Sequence, residues 1–152
     1  MTRIAINGFG RIGRCSFKQF VTDDRFEVVG INDLADLDDL AYLLKYDSVH
    51  GWWPRKVSTA DGHLVVDGMK VPFTQERDPA KLPWSDLGVD VVVESTGAMR
   101  SRDDAAGHVE AGAKRVVISA PSDDADATFV LGVNEETFDP DTHVVVSNAS
   151  CT

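Results

Sequence analysis

Basic residues are scarce in this chain: 15 lysines and arginines stand against 25 aspartates and glutamates, giving a formal charge of −10 over 152 residues. No cluster of Lys and Arg occurs, which argues against a nucleic-acid partner, because such a field repels a phosphate backbone. Cysteine is nearly missing. Cys15 and Cys151 are the only two, and neither sits in a CxxC or Cys/His spacing, so no metal site is expected. In a reducing compartment the pair is not expected to form a structural disulfide. Apolar runs of the roughly 18 to 20 residues that span a bilayer are absent, and "MTRIAING" lacks the long apolar region of a secretory signal. The expected setting is therefore cytoplasmic, with no membrane partner. There is also no internal repeat, low-complexity tract or flexible linker, which leaves one domain large enough for a core of its own.

What is present is an alternation of short apolar runs and amphipathic stretches, the pattern of a parallel sheet covered by helices. "RIAI" (residues 3–6) reads as a strand ended by Asn7-Gly8. The following "RIGRCSFKQFVTDD" reads as a helix with Ile12, Phe17, Phe20 and Val21 on one face. "EVVGIND" (27–33) is a second strand, and "DLDDLAYLLKYD" a helix with Leu37, Leu40, Leu43 and Leu44 buried and acids in its first turn. In the middle, Asp61-Gly62 and Asp67-Gly68 separate short β-rich runs, predicting an antiparallel hairpin insertion. The alternation then resumes. "VDVVVES" (89–95) suits a strand covered on both faces. "SRDDAAGHVEAGAK" suits a helix capped by serine and ending near Gly112. "RVVIS", "ATFVLGV" and "HVVVSN" supply the last strands. The expected fold class is α/β, a doubly wound, mostly parallel sheet of Rossmann type with a small antiparallel hairpin insertion.

Gly8-Phe9-Gly10-Arg11-Ile12-Gly13 matches GxGxxG, and it follows a strand and opens a helix, which is the context that gives the motif meaning. The first glycine permits the tight turn, the second lets a pyrophosphate approach the backbone, and the third lets helix and strand pack closely. The helix N-terminus adds amide donors and partial positive charge. Asp33 closes the second strand about twenty residues further on. A carboxylate there can accept hydrogen bonds from a ribose and repel a 2′-phosphate, favouring NAD over NADP; its plainer use would be to cap the following turn. Cys15 lies within the first helix among apolar neighbours and reads as a small hydrophobe. Cys151 follows a strand within a Ser-Cys-Thr run. A strand-to-helix turn there would stabilise its thiolate through the amide field of a helix N-terminus.

Taken together, "INGFGRIGR", "LLKYDSVHG", "ESTG", "EAGAKRVVISAPS", "GVN" and "SNASCT" resemble the N-terminal, NAD-binding half of the phosphorylating glyceraldehyde-3-phosphate dehydrogenase family, over the whole chain. The resemblance implies that Arg11 and Ile12 hold the cofactor phosphates beside Gly8, Gly10 and Gly13, that Asp33 holds the adenosine ribose, and that Arg77 lies near the adenine end. It places Thr96, Gly97 and Ser119 on the nicotinamide side. It makes Cys151 the nucleophile, with Ser150 and Thr152 contributing to the substrate site. In that family the thiolate captures glyceraldehyde 3-phosphate as a thiohemiacetal, oxidation with NAD gives a thioester, and inorganic phosphate releases 1,3-bisphosphoglycerate. Covalent capture splits one hard step into two easier ones, and an amide such as that of Cys151 can stabilise the oxyanion.

The sequence departs from the family at Trp52-Trp53, where Arg-Phe is usual, and at Ala98-Met99, where Val-Phe is usual. The first change is expected to alter packing or a subunit contact, the second the shape of the cofactor cleft. His50, His63, His108 and His143 match none of the family's base position, and each is expected to be a surface or turn residue. The base, the phosphate-binding residues, the second domain and most contacts of a homotetramer belong to a missing C-terminal half, so the chain by itself is expected to bind NAD without turnover. Two alternatives remain open at the level of sequence. One is erythrose-4-phosphate dehydrogenase, which "LPWSDLGVD" resembles although "ESTG" and "SAPS" do not. The other is a non-catalytic nucleotide-binding module.

Overall fold

The computed structural model describes residues 1–150; Cys151 and Thr152 lie outside the described residues. In chain order the strands are β1 (Thr2–Asn7), β2 (Phe26–Asn32), β3 (Tyr46–Asp47), β4 (Gly51–Trp52), β5 (Val57–Ala60), β6 (His63–Val66), β7 (Met69–Thr74), β8 (Val91–Glu94), β9 (Arg115–Ile118), β10 (Ala127–Thr128) and β11 (Val145–Ser147). The helices are α1 (Arg11–Phe20), α2 (Leu37–Lys45) and α3 (Arg102–Glu110). Nine strands form one sheet in the order β10-β11-β9-β8-β1-β2-β7-β6-β5, and β3 and β4 form a two-stranded antiparallel ribbon. The pairs from β10 through β7 are parallel, so this is the doubly wound α/β sheet the alternation predicts. No helix among the described residues is long and apolar enough to cross a membrane.

The antiparallel insertion is a three-stranded meander, β5-β6-β7, whose two turns fall at the Asp-Gly pairs. Asp61 and Gly62, then Asp67 and Gly68, all adopt positive φ, the geometry that suits a right-twisted two-residue hairpin. The meander is not a separate unit: the far end of β7 runs parallel to β2, with Thr74 opposite Asn32. The main sheet is thereby extended rather than interrupted.

Two apolar clusters cover the two faces of the sheet. One gathers Ile4, Ile6, Phe9, Phe17, Ile31 and Leu44 beneath α1 and α2, and the other gathers Trp84, Val89, Val92, Ala105 and Ile118 beneath α3. Phe17 meets Phe9 edge-on at 5.5 Å and Trp53 at 6.2 Å. Trp53 is therefore a packing residue, whereas Trp52 is largely exposed. The serine cap falls where expected, Ser101 Oγ accepting the amide of Asp104 ahead of α3, and ahead of α2 the Asp36 carboxylate caps as well, accepting the amides of Asp38 and Asp39.

Four local expectations are corrected. Ile12 is exposed, because it lies five residues before Phe17 and so about 140° from it around the helix. Leu43 is exposed because it lies about 100° from Leu44, on the side of α2 away from Ala41, which takes its place beside Leu40 and Leu44. The run "ATFVLGV" forms a strand only at Ala127–Thr128. Beyond it, Asn134 Oδ1 accepts the Val130 amide and Asn134 Nδ2 donates to the Thr128 carbonyl, so a side chain takes over what the ladder would have satisfied. His108, read as a surface or turn residue, is wholly buried on α3. His50, His63 and His143 do lie in or beside turns.

Candidate functional site

The parallel strands end on one side of the sheet, and there a cleft of about 460 Å³ opens between the glycine loop, the end of β2 and the turn after β8. Ligands in this fold class bind outside the carboxyl ends of the strands. Of the residues expected to act, Gly8, Gly10, Asp33, Arg77 and Thr96 line the cleft.

Each motif glycine has its own steric reason. Gly8 has φ +91°, and a Cβ there would lie 2.6 Å from the Thr96 amide nitrogen, so β1 and the turn after β8 touch through backbone. At Gly13 a Cβ would lie 2.1 Å from the Gly8 carbonyl oxygen; this glycine lets α1 rest on the loop. Gly10 differs, since an added Cβ would meet nothing within 4 Å. The protein itself does not require glycine there, but a group entering the cleft over the loop would. Gly10 is also the N-cap of α1 and makes no side-chain cap hydrogen bond, so the first-turn amides have no partner within the helix. This is a cradle fitted to a pyrophosphate.

Asp33 Oδ2 accepts the Phe9 amide at 2.6 Å, and its Oδ1 accepts the Ala35 amide at 2.9 Å. It therefore caps the following turn and ties the end of β2 to the glycine loop. A carboxylate has about four acceptor positions, so two remain for ribose hydroxyls. The capping reading of Asp33 holds, and it leaves acceptor capacity on the carboxylate.

Arg11 and Ile12 do not reach the cleft through their side chains. The Arg11 guanidinium pairs with Asp47, and Ile12 faces outward. Any grip of theirs on a phosphate would come from backbone amides. Asp47 is held below the ordinary carboxylate range chiefly by the donated amides of His50 and Val49, with Arg11 adding to it. Burial and the neighbouring Arg11 lower the pKa of Arg14, whose Nη1 anchors the Phe9 carbonyl at 2.9 Å. Gly97, φ +74°, stands in the turn after β8 with open space around its missing side chain. Ser119 follows β9 and donates its amide to the Glu94 carbonyl at 3.0 Å. Ser150 is exposed, and its amide donates to the Asn148 carbonyl at 3.0 Å. The expected nucleophile Cys151 and its neighbour Thr152 lie outside the described residues. Among the described residues, no group of three or more His, Cys, Asp or Glu is placed to hold a metal.

Beneath the cleft runs a feature that the motifs did not announce. Thr74, Asn32, Asn7 and Glu94 end the adjacent strands β7, β2, β1 and β8 in direct register, and their side chains form a chain of hydrogen bonds. Thr74 Oγ1 donates to Asn32 Oδ1 at 2.8 Å, Asn32 Nδ2 to Asn7 Oδ1 at 2.7 Å, and Asn7 Nδ2 to Glu94 Oε2 at 2.6 Å. The row continues to His108 Nε2, 2.8 Å from Glu94 Oε2, and ends at Trp84 Nε1, 3.0 Å from His108 Nδ1. On the cleft side Glu94 Oε1 accepts both the amide and the hydroxyl of Thr96, at 2.9 and 2.5 Å. A signal existed in the sequence, because each of these strands ends in a short apolar run closed by a polar residue (IAIN, VVGIN, VPFT and VVVE). Leu34 and Met99 add apolar lining, so the departure at 99 does fall in the cleft.

Residues 2–102 match the family described as glyceraldehyde 3-phosphate dehydrogenase, NAD binding domain. Similar proteins include the glyceraldehyde-3-phosphate dehydrogenases of Geobacillus stearothermophilus, 53% identical over 150 residues, and Priestia megaterium, 55% identical over 150 residues. That of Kitasatospora aureofaciens is 52% identical over 153 residues. These alignments take in 99% or 100% of this chain and 45% or 46% of the relatives. The chain spans about half the length of the relatives it matches.

Proposed function

The chain belongs to the glyceraldehyde-3-phosphate dehydrogenase family, and from that premise we propose that it is the NAD-binding part of an enzyme that oxidises and phosphorylates glyceraldehyde 3-phosphate to 1,3-bisphosphoglycerate. The observation that carries the reading is the glycine loop. Gly10 faces a cleft in which only an incoming group would object to a side chain, and Asp33, bonded to the neighbouring Phe9 amide, lines the same cleft with acceptor capacity to spare.

The first-turn amides of α1 would hold the pyrophosphate, the Asp33 carboxylate the adenosine ribose, and Arg77 the adenine end. Thr96, Gly97 and Ser119 belong to the nicotinamide side. The bound NAD supplies the hydride acceptor. Cys151 would supply the thiolate that captures the aldehyde, with Ser150 and Thr152 beside the substrate, and inorganic phosphate would take the acyl group. The complete enzyme would work as a cytoplasmic homotetramer, with its base and phosphate sites on a C-terminal half, and the 152-residue chain alone would bind cofactor without turnover.

Calorimetric titration with NAD and NADP tests the cofactor part. NAD is expected to bind at least about tenfold more tightly, and Asp33→Gly to narrow the gap by relieving repulsion of the 2′-phosphate. Equal or tighter binding of NADP would overturn the Asp33 assignment. Steady NADH production by the purified chain with glyceraldehyde 3-phosphate and phosphate would overturn the division of labour.

A further inference from the structure

The row of buried polar groups under the cleft is polarised from both ends. At one end the backbone amide of Glu76 donates to Asn32 Oδ1 at 2.8 Å. That fixes the Asn32 oxygen as acceptor, turns its amide nitrogen to Asn7, and so turns the Asn7 nitrogen to Glu94. At the other end stands Trp84, fully buried, whose indole N–H can only donate. It points at His108 Nδ1, which must accept and carries no proton. The ring proton therefore sits on Nε2 and is donated to Glu94 Oε2. His108 has no freedom to take the other tautomer without leaving the indole N–H unpaired in the core, which costs far more than the hydrogen bond itself contributes.

Both runs of donors end on one carboxylate. Glu94 is 1% exposed, and two donors meet Oε2 while two from Thr96 meet Oε1. Because the Thr96 hydroxyl gives its hydrogen to Glu94, its lone pairs are left for the amides of Ala98 at 3.1 Å and Met99 at 3.4 Å. Those contacts fold the turn of residues 95–99, whose backbone touches Gly8 and whose Thr96, Ala98 and Met99 line the cleft.

We propose that His108 is a positioning residue for dinucleotide binding: held as the Nε2–H tautomer by Trp84, it orients Glu94, and Glu94 in turn holds the Thr96 turn in its binding geometry. The role rests on the cofactor reading above. His108 itself is not among the residues that line the cleft. Its N–H supplies one of the two donors on Glu94 Oε2, and without it a buried carboxylate under-supplied with donors swings or draws in water, taking the Thr96 turn with it.

Nitrogen-15 spectra of the parent chain read the lock directly, with the His108 signals assigned by their loss in His108→Gln. The expected pattern at neutral pH is an unprotonated Nδ1 and a protonated Nε2; an Nδ1–H or doubly protonated ring overturns the proposal, and this measurement needs no variant beyond the assignment. By titration, His108→Leu is expected to weaken NAD binding about tenfold or more, while His108→Gln, whose side-chain amide can still donate to Glu94, recovers most of it. A folded His108→Leu that binds NAD within about twofold of the parent overturns the role alone. A parent chain that binds no NAD overturns the cofactor reading, and this role with it. Should His108→Leu fail to fold, Trp84→Phe decides. Loss of the indole N–H is expected to give a mixture of His108 tautomers, and an unchanged pure Nε2–H pattern overturns the lock.

Discussion

Adding one methyl group at Gly13 places a carbon 2.1 Å from the Gly8 carbonyl oxygen, more than an ångström inside ordinary van der Waals contact. Both partners are backbone, one in α1 and the other at the end of β1, so neither can turn away as a side chain would. Gly13→Ala is expected to cost about 3 kcal/mol, at the upper end of overpacking, and to lower the melting temperature by about 6 to 12 °C in a domain of this size. The same methyl group at Gly10 meets nothing within 4 Å, and the backbone there is extended at φ −73°. The weaker N-cap offered by alanine and the entropy removed from the unfolded chain are opposing effects of similar size, so the net change stays below about 1 kcal/mol. The methyl does, however, occupy the space a pyrophosphate needs. Gly10→Ala is therefore expected to melt within about 3 °C of the parent yet bind NAD about ten- to a hundredfold more weakly. Circular-dichroism melting and calorimetric titration of both variants give four numbers. Undiminished NAD binding by Gly10→Ala would refute the cradle, and an unshifted melting point for Gly13→Ala would refute the packing argument.

Glu94→Gln replaces an acceptor of four donated hydrogen bonds by a group that must turn an NH₂ toward two of them. A loss of at least about 2 kcal/mol is expected in urea unfolding, and a neutral result would disprove the donor assignment. Ser101→Ala removes the hydroxyl that accepts the Asp104 amide and is expected to cost about 1 kcal/mol by the same assay. Several aspartates make stability acid-sensitive, Asp47, Asp90 and Asp126 among them. Asp90 is held below the usual carboxylate range by the Arg3 amide and Lys114; Asp126 is also lowered, because Arg102 and the amides of Val145 and Val144 outweigh its burial. The folded chain thus binds fewer protons than the unfolded chain, whose aspartates titrate near about pH 3.9. This stabilisation is complete above that pH and is lost as pH falls through the lower folded values. The urea midpoint should fall below about pH 4, and Asp90→Asn should make that fall shallower. A midpoint that rises on acidification would contradict it.

The alternation of apolar runs, the Asp-Gly turns, the serine cap at Ser101, and the placement of GxGxxG were legible in sequence because each depends on a few neighbouring residues. Local chemistry decides a positive-φ turn or an N-cap wherever the segment ends up. Periodicity failed where a face is set by what packs against it: Ile12 and Leu43 are apolar yet lie outside the stripes that α1 and α2 bury, and nothing within the helices says where a stripe stops. The tail of "ATFVLGV" failed because Asn134, the residue that follows the run, folds back on it and offers the backbone a competing set of hydrogen bonds. His108 failed most completely. Seen in sequence it is a polar residue near a helix end, and only the sheet order brings the ends of β1 and β8 and the indole of Trp84 around it.

The sequence by itself determined the fold class, the dinucleotide loop and the family, through motifs whose meaning is carried by residue type and short spacing. Tertiary structure alone decided how those pieces become a site: that Asp33 braces the glycine loop while keeping acceptors free, that Arg11 is turned away to Asp47, and that four strand ends share one line of hydrogen bonds under the cleft. The reason is physical. Register between strands 25 to 87 residues apart is set by the packing of both sheet faces at once, and no local pattern encodes it.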